Sequence, residues 1–346
     1  MFVAMADGPS PSIEASIKRE RPSRRVFSIQ SHVVHGYAGN KAAVFPLQRL
    51  DSDQLGAIYE GLSLNGLTTY SHLLTGYCGN PGFLQRIGGI VKDLKEKNEN
   101  LLYVCDPVLG DHGKYYTPRE LLPIYKEVIV PLADVLTPNC FELGELSGRK
   151  IENEADCLSA VDAIHDLGVS RIVVTSGIPS KEEETQLIAL TSTRNKDGTA
   201  TRHRFVFPKR SGNFVGTGDL FASLLIVWLE ECGGNLAEAV GRVIGALQDV
   251  IGVTIEVAKD YAPPPSCKLP ELRFIEGRRY LLQPSHVVPK IWNHCRSDIE
   301  DEEIELLVRG NTHRQRDEHE ENQSYEAYPS HAHDLKDQRS TVHFGL

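Results

Sequence analysis

One stretch of the 346-residue chain gathers the residue types that could move a phosphoryl group: Phe214-Val215-Gly216-Thr217-Gly218-Asp219-Leu220-Phe221. Two glycines bracket a threonine and an aspartate follows. Leu220, Phe221, Leu224, Leu225, Val227 and Trp228 then recur at three- and four-residue spacing, as on the buried face of a helix. Gly216-Thr217-Gly218 is therefore expected to be a tight turn feeding a helix N-terminus. Glycine there permits positive φ and lets a ligand approach the backbone closely. The first amides of a helix lack internal partners and sit at the positive end of its dipole, which suits a phosphate. Asp219, beside such a site, could take a proton from a hydroxyl attacking a phosphoryl group. The plainer alternative is that Asp219 only caps the helix and the glycines only turn the chain. The motif alone does not separate the two, because short glycine motifs recur by chance.

Composition narrows the setting. The length allows one large α/β domain or two smaller ones with a substantial core. Hydrophobic residues make up 40% and charged residues 24%, ordinary values for a soluble globular chain. A formal charge of −10 argues against a general nucleic-acid binder. No apolar run approaches membrane-spanning length, and the N-terminus lacks the apolar core of a secretory signal. The seven cysteines are scattered and form no CxxC pair, so they read as reduced thiols of a cytoplasmic protein.

Further candidates stand where predicted strands end. Val26–Ile29 is expected to be the first strand, with Ser31 beyond it. His72–Thr75 leads into Gly76-Tyr77, and Leu101–Cys105 leads into Asp106-Pro107-Val108-Leu109-Gly110-Asp111. Two carboxylates on that bent loop suit a magnesium ion carried with nucleotide phosphates, or are simply a solvated turn. Asp134–Leu136 leads into Thr137-Pro138-Asn139, with Glu142 three residues on. That spacing is that of an N-cap and N3 pair, and equally of a polar site beside the previous loop. Arg171–Val174 leads into Thr175-Ser176-Gly177. Helices are expected over 82–97, from Pro118 to about Val130, over 154–167, and from about Asn235 to Ala258. Gln186–Leu190 and Arg202–Val206 read as an antiparallel pair. In an open α/β sheet, ligands bind beyond the carboxyl ends of the strands. Four segments with polar residues at that edge, followed by a glycine anion site, make a shared site the better reading.

One feature breaks the alternation. A helix from Asn40 to about Leu50 is followed directly by another starting at Asp51-Ser52-Asp53, with no strand between them. A parallel α/β unit requires one.

These residues resemble the pyridoxal kinase family, within the ribokinase-like fold. The matching stretches are Ser28–Val33, Gly39–Ala43, Leu74–Tyr77, Cys105–Asp111, Thr137–Asn139 with Phe141-Glu142, Leu146–Gly148 and Phe214–Phe221. The resemblance spans about residues 25–275. It implies a mostly parallel sheet flanked by helices on both faces, three layers in all. It also implies phosphorylation by ATP of the 5′-hydroxyl of pyridoxal, pyridoxine or pyridoxamine. Asp219 would be the general base, and the amides of Gly216, Thr217 and Gly218 the anion hole. Asp111 would serve magnesium. Asp106, Thr137, Glu142 and Thr175 would lie near ATP and a potassium or sodium ion. Asn139, Thr175, Ser176 and Thr217 would contact ATP, and Ser31 and Tyr77 the vitamin. The family also implies a homodimer, weakened here by the missing strands.

The chain departs from that pattern twice. The family has strand structure after the Asn40 helix, with an Asn-His-Thr-Gly-Tyr stretch that closes over the vitamin and contributes to the dimer; here Gln48-Arg49-Leu50 runs straight into Asp51. Toward the other end, Glu271–Ile275 and Arg296–Asp301 resemble one family terminus split by a segment through Trp292. Residues 1–24 read as a disordered extension, and 276–346 as an atypical, largely disordered segment. Two alternatives follow: an impaired variant that binds nucleotide or pairs with an intact subunit, and a kinase for another small alcohol such as a hydroxymethylpyrimidine.

Overall fold

Strand residues of this chain are apolar on both faces, and the computed structural model shows why. It describes residues 26–29, 51–180, 184–212, 214–260 and 271–292. The expectations for residues 1–24, for Ser31, for the Asn40 helix and for the chain beyond Trp292 lie outside these. Eight strands form one sheet: β1 (Val26–Ile29), β2 (His72–Thr75), β3 (Leu102–Cys105), β6 (Val135–Leu136), β7 (Arg171–Val174), β8 (Gln186–Arg194), β9 (Ala200–Pro208) and β10 (Ile291–Trp292), in that spatial order. The first five run parallel, and β8, β9 and β10 are each antiparallel to the preceding strand. A separate small hairpin joins β4 (Gly110–Asp111) to β5 (Lys114–Tyr115).

Alternate residues face opposite ways along a strand. Leu73, Tyr103, Cys105, Leu136, Ile172 and Val174 pack under α1 (Ser52–Leu64), α2 (Pro81–Lys97), α4 (Cys140–Ser147) and α5 (Glu154–Asp166). Leu74, Val104, Val135, Val173, Ala189 and Phe205 pack under α6 (Thr217–Glu231) and α7 (Leu236–Asp260). The result is the expected three-layer arrangement, with helices on both faces of a mostly parallel sheet. Among the described residues, no helix is long and apolar enough to cross a membrane.

Local chemistry sets the boundaries. Asp51 accepts from the amides of Asp53 and Gln54 at 2.9 and 2.8 Å, and Gln54 Oε1 accepts from the Asp51 amide at 3.1 Å. This capping box starts α1 at Ser52, where a helix was expected to begin. Among the described residues, β1 is the outermost strand on that side.

Two stretches differ from expectation. Periodicity predicts one helix from Pro118 to about Val130. Instead a short α3 (Leu121–Ile124) passes into a π-helical turn, Tyr125–Ile129, and a 3-10 turn, Val130–Leu132. The Val130 amide reaches back to the Tyr125 carbonyl, and Pro131 has no amide with which to continue. Residues 276–292, expected to belong to the atypical segment, are also part of the fold. They carry α8 (Arg278–Leu282) and β10, and bury Val288 against α7. Gly241 and Gly245, one turn apart on α7, make room for this. A Cβ at Gly241 would stand 2.6 Å from the Val288 carbonyl oxygen, and one at Gly245 only 2.0 Å from that of His286.

Gly245→Ala should therefore force the 284–288 backbone off α7. We expect a loss of about 1–3 kcal/mol, as for overpacked cores, read from the denaturant midpoint. Gly252→Ala, on the same helix with open space around it, serves as the control.

Candidate functional site

The polar residues past the carboxyl ends of β2, β3, β6 and β7 are held together by backbone bonds that continue beyond the strands. Asp106 N donates to Thr75 O at 2.9 Å, Thr137 N to Cys105 O at 3.1 Å, and Thr175 N to Pro138 O at 3.0 Å. Successive strand ends are thus tied at one level, and Asp106, Thr137, Asn139 and Thr175 share one edge.

Glu142 is the centre of this edge. It is 4% exposed. Its Oε1 accepts from the amides of Leu109 and Gly110 at 2.9 and 3.4 Å, and its Oε2 from the Asn139 amide at 3.0 Å. Asn139 returns the bond, accepting from the Glu142 amide at 2.9 Å, and its Nδ2 donates to Gly110 O at 2.8 Å. The predicted N-cap and N3 pair is thus a capping box for α4 and also the anchor of the β4–β5 hairpin. Thr137 Oγ1 lies 3.5 Å from Asp106 Oδ1.

The Gly216 turn meets this group from the other face. Gly216 has φ 88° and occupies the N-cap position of α6, where no side chain caps the helix. Asp219 lies in the first turn. Its carboxylate makes no hydrogen bond among the described residues, so it does not act as a cap. A Cβ on Gly218 would stand 3.5 Å from Asp106 Oδ2, which places the Asp106 carboxylate against the turn. Burial raises the Asp219 pKa.

Asp111, a third exposed, sits on the hairpin. Thr175 and Ser176 lie beside α4, where the Cys140 amide donates to Ser176 O at 2.9 Å. Tyr77 stands past β2 at 36% exposure. Asp106, Thr137, Asn139, Glu142, Thr175, Ser176 and the Gly216–Asp219 turn therefore share one edge, with Asp111 at its rim and Tyr77 on the exposed side. Ser31 is outside the described residues.

Two contributors escape a reading by residue type. The Leu109 and Gly110 amides are donors that no side-chain motif reveals. Tyr116 lies over the rim: burial, then the charges of Asp111 and Glu142, raise its hydroxyl pKa. The signal available was Asp111-His112-Gly113-Lys114, a two-residue hairpin turn with glycine in its second place. Among the described residues, no group of three or more His, Cys, Asp or Glu side chains could hold a metal. A cavity of about 710 Å³, lined by Asp111, His112, Phe141 and Gly177 among others, opens beside this edge.

Known proteins resemble the chain in both sequence and structure. A family model described as phosphomethylpyrimidine kinase matches residues 82–264. A Caenorhabditis elegans protein of the pyridoxal kinase name is 47% identical over 311 residues, covering 80% of this chain and 95% of its own. The pyridoxal kinase of Sus scrofa is 41% identical over 302 residues, covering 76% of this chain and 94% of its own. Among solved structures, the pyridoxal kinase from Leishmania donovani in complex with ADP and pyridoxamine has a TM-score of 0.68 at 30% identity, covering 78% of this chain and 99% of that one. Four fifths of 346 residues is fewer than 311, so the Caenorhabditis elegans alignment crosses positions that this chain lacks.

Three carboxylates crowd this edge, and burial raises the pKa of each. Burial, then the charge of Asp219, pushes the Asp106 pKa up to about 7. Burial, then the charge of Asp106, pushes Glu142 up to about 8, against the pull of its three amide donors. Asp106 and Glu142 titrate as a pair. Both values lie above those of the unfolded chain, so the native state holds protons that the unfolded chain releases. Their contribution to stability therefore falls as pH rises from about 4 to about 8 and levels off above. In potassium-free buffer, Asp106→Asn should stabilise the protein at pH 8.5 by roughly 1–3 kcal/mol, since each tenfold change in proton affinity is worth about 1.4 kcal/mol. The gain should be far smaller at pH 5. Thermal unfolding at the two pH values measures this; a variant less stable at pH 8.5 would contradict it.

Proposed function

The chain belongs to the pyridoxal kinase family, and we propose that the polar edge of its ribokinase-like sheet transfers the terminal phosphoryl group of ATP to the 5′-hydroxyl of pyridoxal, pyridoxine or pyridoxamine. One observation carries the assignment of the chemistry: α6 opens on an uncapped glycine turn, with the Asp219 carboxylate in its first turn unpaired among the described residues. Backbone amides at Gly216–Asp219 offer donors to the equatorial oxygens of a phosphoryl group in flight, and the helix dipole adds to them. Asp219 takes the proton of the attacking hydroxyl. Its raised pKa brings it closer to working pH, where a carboxylate is a more effective base. Little covalent chemistry is left for the protein in such a transfer, which rests on positioning and charge.

Asn139, Thr175, Ser176 and Thr217 hold the nucleotide, with Tyr116 at the rim. Tyr77 faces the vitamin, together with Ser31. Asp111 fits a magnesium ion that is held mainly by phosphate oxygens and water, the usual habit of that ion. Asp106, Thr137, Glu142 and Thr175 offer only oxygen donors, two of them carboxylates raised by burial, and so fit a potassium or sodium ion whose charge would relieve them. Such ions supply positive charge near the transferring group. A homodimer and a cytoplasmic setting complete the reading, the latter supported by five free cysteines among the described residues.

The positions that the Caenorhabditis elegans alignment crosses and this chain lacks favour a second reading, in which nucleotide binds but turnover is impaired. The nucleotide-side loops are all present, whereas the absent strand region belongs to the vitamin side. Pyridoxal should therefore bind more weakly than ATP, and calorimetry that finds tight pyridoxal binding would contradict this. ATP-dependent formation of pyridoxal 5′-phosphate by the purified chain, with magnesium and potassium present, separates the two readings. If a hydroxymethylpyrimidine supports ADP release better than any B6 vitamer does, the substrate assignment is wrong. Asp219→Asn should lower turnover by at least about a hundredfold, the scale of general base catalysis, with ATP binding and fold retained. Near-native activity in that variant would remove Asp219 from the role of base.

A further inference from the structure

Two thiols meet where α4 packs on α5. Cys140 is the first residue of α4 and is 7% exposed, whereas Cys157 lies in α5 and is fully buried. Their side chains are hydrogen-bonded to each other, which is the leading cause, ahead of burial, of a raised Cys157 pKa. The other described cysteines are engaged elsewhere: Cys78 with the Asn80 carbonyl, Cys105 with Thr75 and Tyr103, and Cys232 with Arg242 and Glu238. The surroundings of the two thiols differ. Cys140 lines the cavity of about 710 Å³ beside the polar edge, so a small reagent entering there meets it. The unpaired amides of a helix N-terminus also favour a sulfur that carries negative charge. Cys157 is enclosed in the core beneath the sheet.

We propose that Cys140 is an oxidation site for hydrogen peroxide and that Cys157 resolves it as an intramolecular disulfide. The Cys140 sulfur takes one oxygen from the peroxide and becomes a sulfenic acid, with one water released. The Cys157 sulfur then displaces the hydroxyl group, which leaves as a second water with the Cys157 proton. Two thiols and one peroxide thus give one disulfide and two waters. Hydrogen-bonded thiols must still close to a sulfur–sulfur bond of about 2.05 Å. Cys157 is held inside α5, so the first turn of α4 yields. That turn carries the Asn139 and Glu142 capping box, and its Cys140 amide donates to Ser176 O at 2.9 Å. A Cβ on Gly177 would stand 3.3 Å from Cys140 Cβ, so the two loops are already in close contact. Drawing Cys140 toward α5 shifts Asn139 and Ser176 with it. The disulfide itself is independent of the proposed function; its effect on ATP rests on that reading.

In the test, the full chain is treated with hydrogen peroxide, its remaining thiols are alkylated, and its peptides are mapped without reductant. A peptide pair joined through Cys140 and Cys157 should form. ATP affinity, read by calorimetry, should fall about tenfold, a usual scale for coupled sites. Dithiothreitol should open the bond and restore the affinity. In Cys157→Ala no such pair can form, and a dimedone adduct of the sulfenic acid should accumulate at Cys140. If peroxide leaves Cys140 open to alkylation, or joins it to another cysteine, the inference falls, whether or not the variant folds. If the joined pair forms and ATP affinity holds, the oxidation site stands and its effect on the nucleotide is overturned. If the reduced chain binds no ATP, the nucleotide reading fails, and the peptide map still decides the oxidation site.

Discussion

The buried carboxylate of Glu142 is the interaction on which this edge of the molecule depends. It accepts three backbone amides, from Leu109, Gly110 and Asn139, that belong to two different loops. Bonds to a charged acceptor contribute about 1.5–3 kcal/mol each. Burying a carboxylate costs several kcal/mol, and Asp106 adds repulsion. The pKa of Glu142 is raised despite the amides, so burial and repulsion outweigh them. The network is thus a weak source of stability for the isolated chain. What it does accomplish is geometric: it fixes the hairpin with Asp111 against the N-terminus of α4, at the level of Asp106.

The same balance of burial and repulsion explains why the site fits a cation. Asp106, Glu142 and Asp219 are pushed toward protonation by burial, Asp106 further by the charge of Asp219 and Glu142 further by that of Asp106. A phosphate approaching three carboxylates would be repelled. The amides of the Gly216 turn and positive ions at the rim and beneath would reverse that field. The folded chain alone holds a strained charge arrangement that ligands relieve, as functional sites commonly do.

Much of this was legible in the sequence because the signals are local. The Gly216 turn, the Asn139 and Glu142 spacing and the apolar strands each depend on a few adjacent residues, and the structure places them in one edge. The role of Asp106 was only half legible: its sequence position tells of a loop after β3, whereas its contact with Gly218 depends on α6, more than a hundred residues away. The π-helical turn at Tyr125–Ile129 follows from Pro131 closing the helix, an effect that apolar spacing does not encode. Residues 276–292 read as atypical because their attachment lies in the partner: Gly241 and Gly245 on α7 look like weak helix residues until a backbone is seen against them. Donors that are amides, at Leu109 and Gly110, have no side-chain signature, only the hairpin turn that follows them.

The two halves of the site are supported differently. On the side proposed for the nucleotide, β3, β6 and β7 each have strand neighbours on both sides, and their end loops are cross-bonded through Glu142 and Pro138. On the side proposed for the vitamin, β1 is the outer strand among the described residues, and Tyr77 follows a strand whose one flank is this four-residue neighbour. Among the described residues, that edge has strand neighbours on one side only, whereas catalysis demands that a side chain be fixed to a fraction of an ångström. Phosphoryl transfer needs both substrates positioned, because positioning supplies most of its rate. On the proposed assignment, the chain can keep its phosphate-handling edge and still lose turnover through the other half. That asymmetry makes the fit of the vitamin, rather than the chemistry at Asp219, the limiting question for this protein.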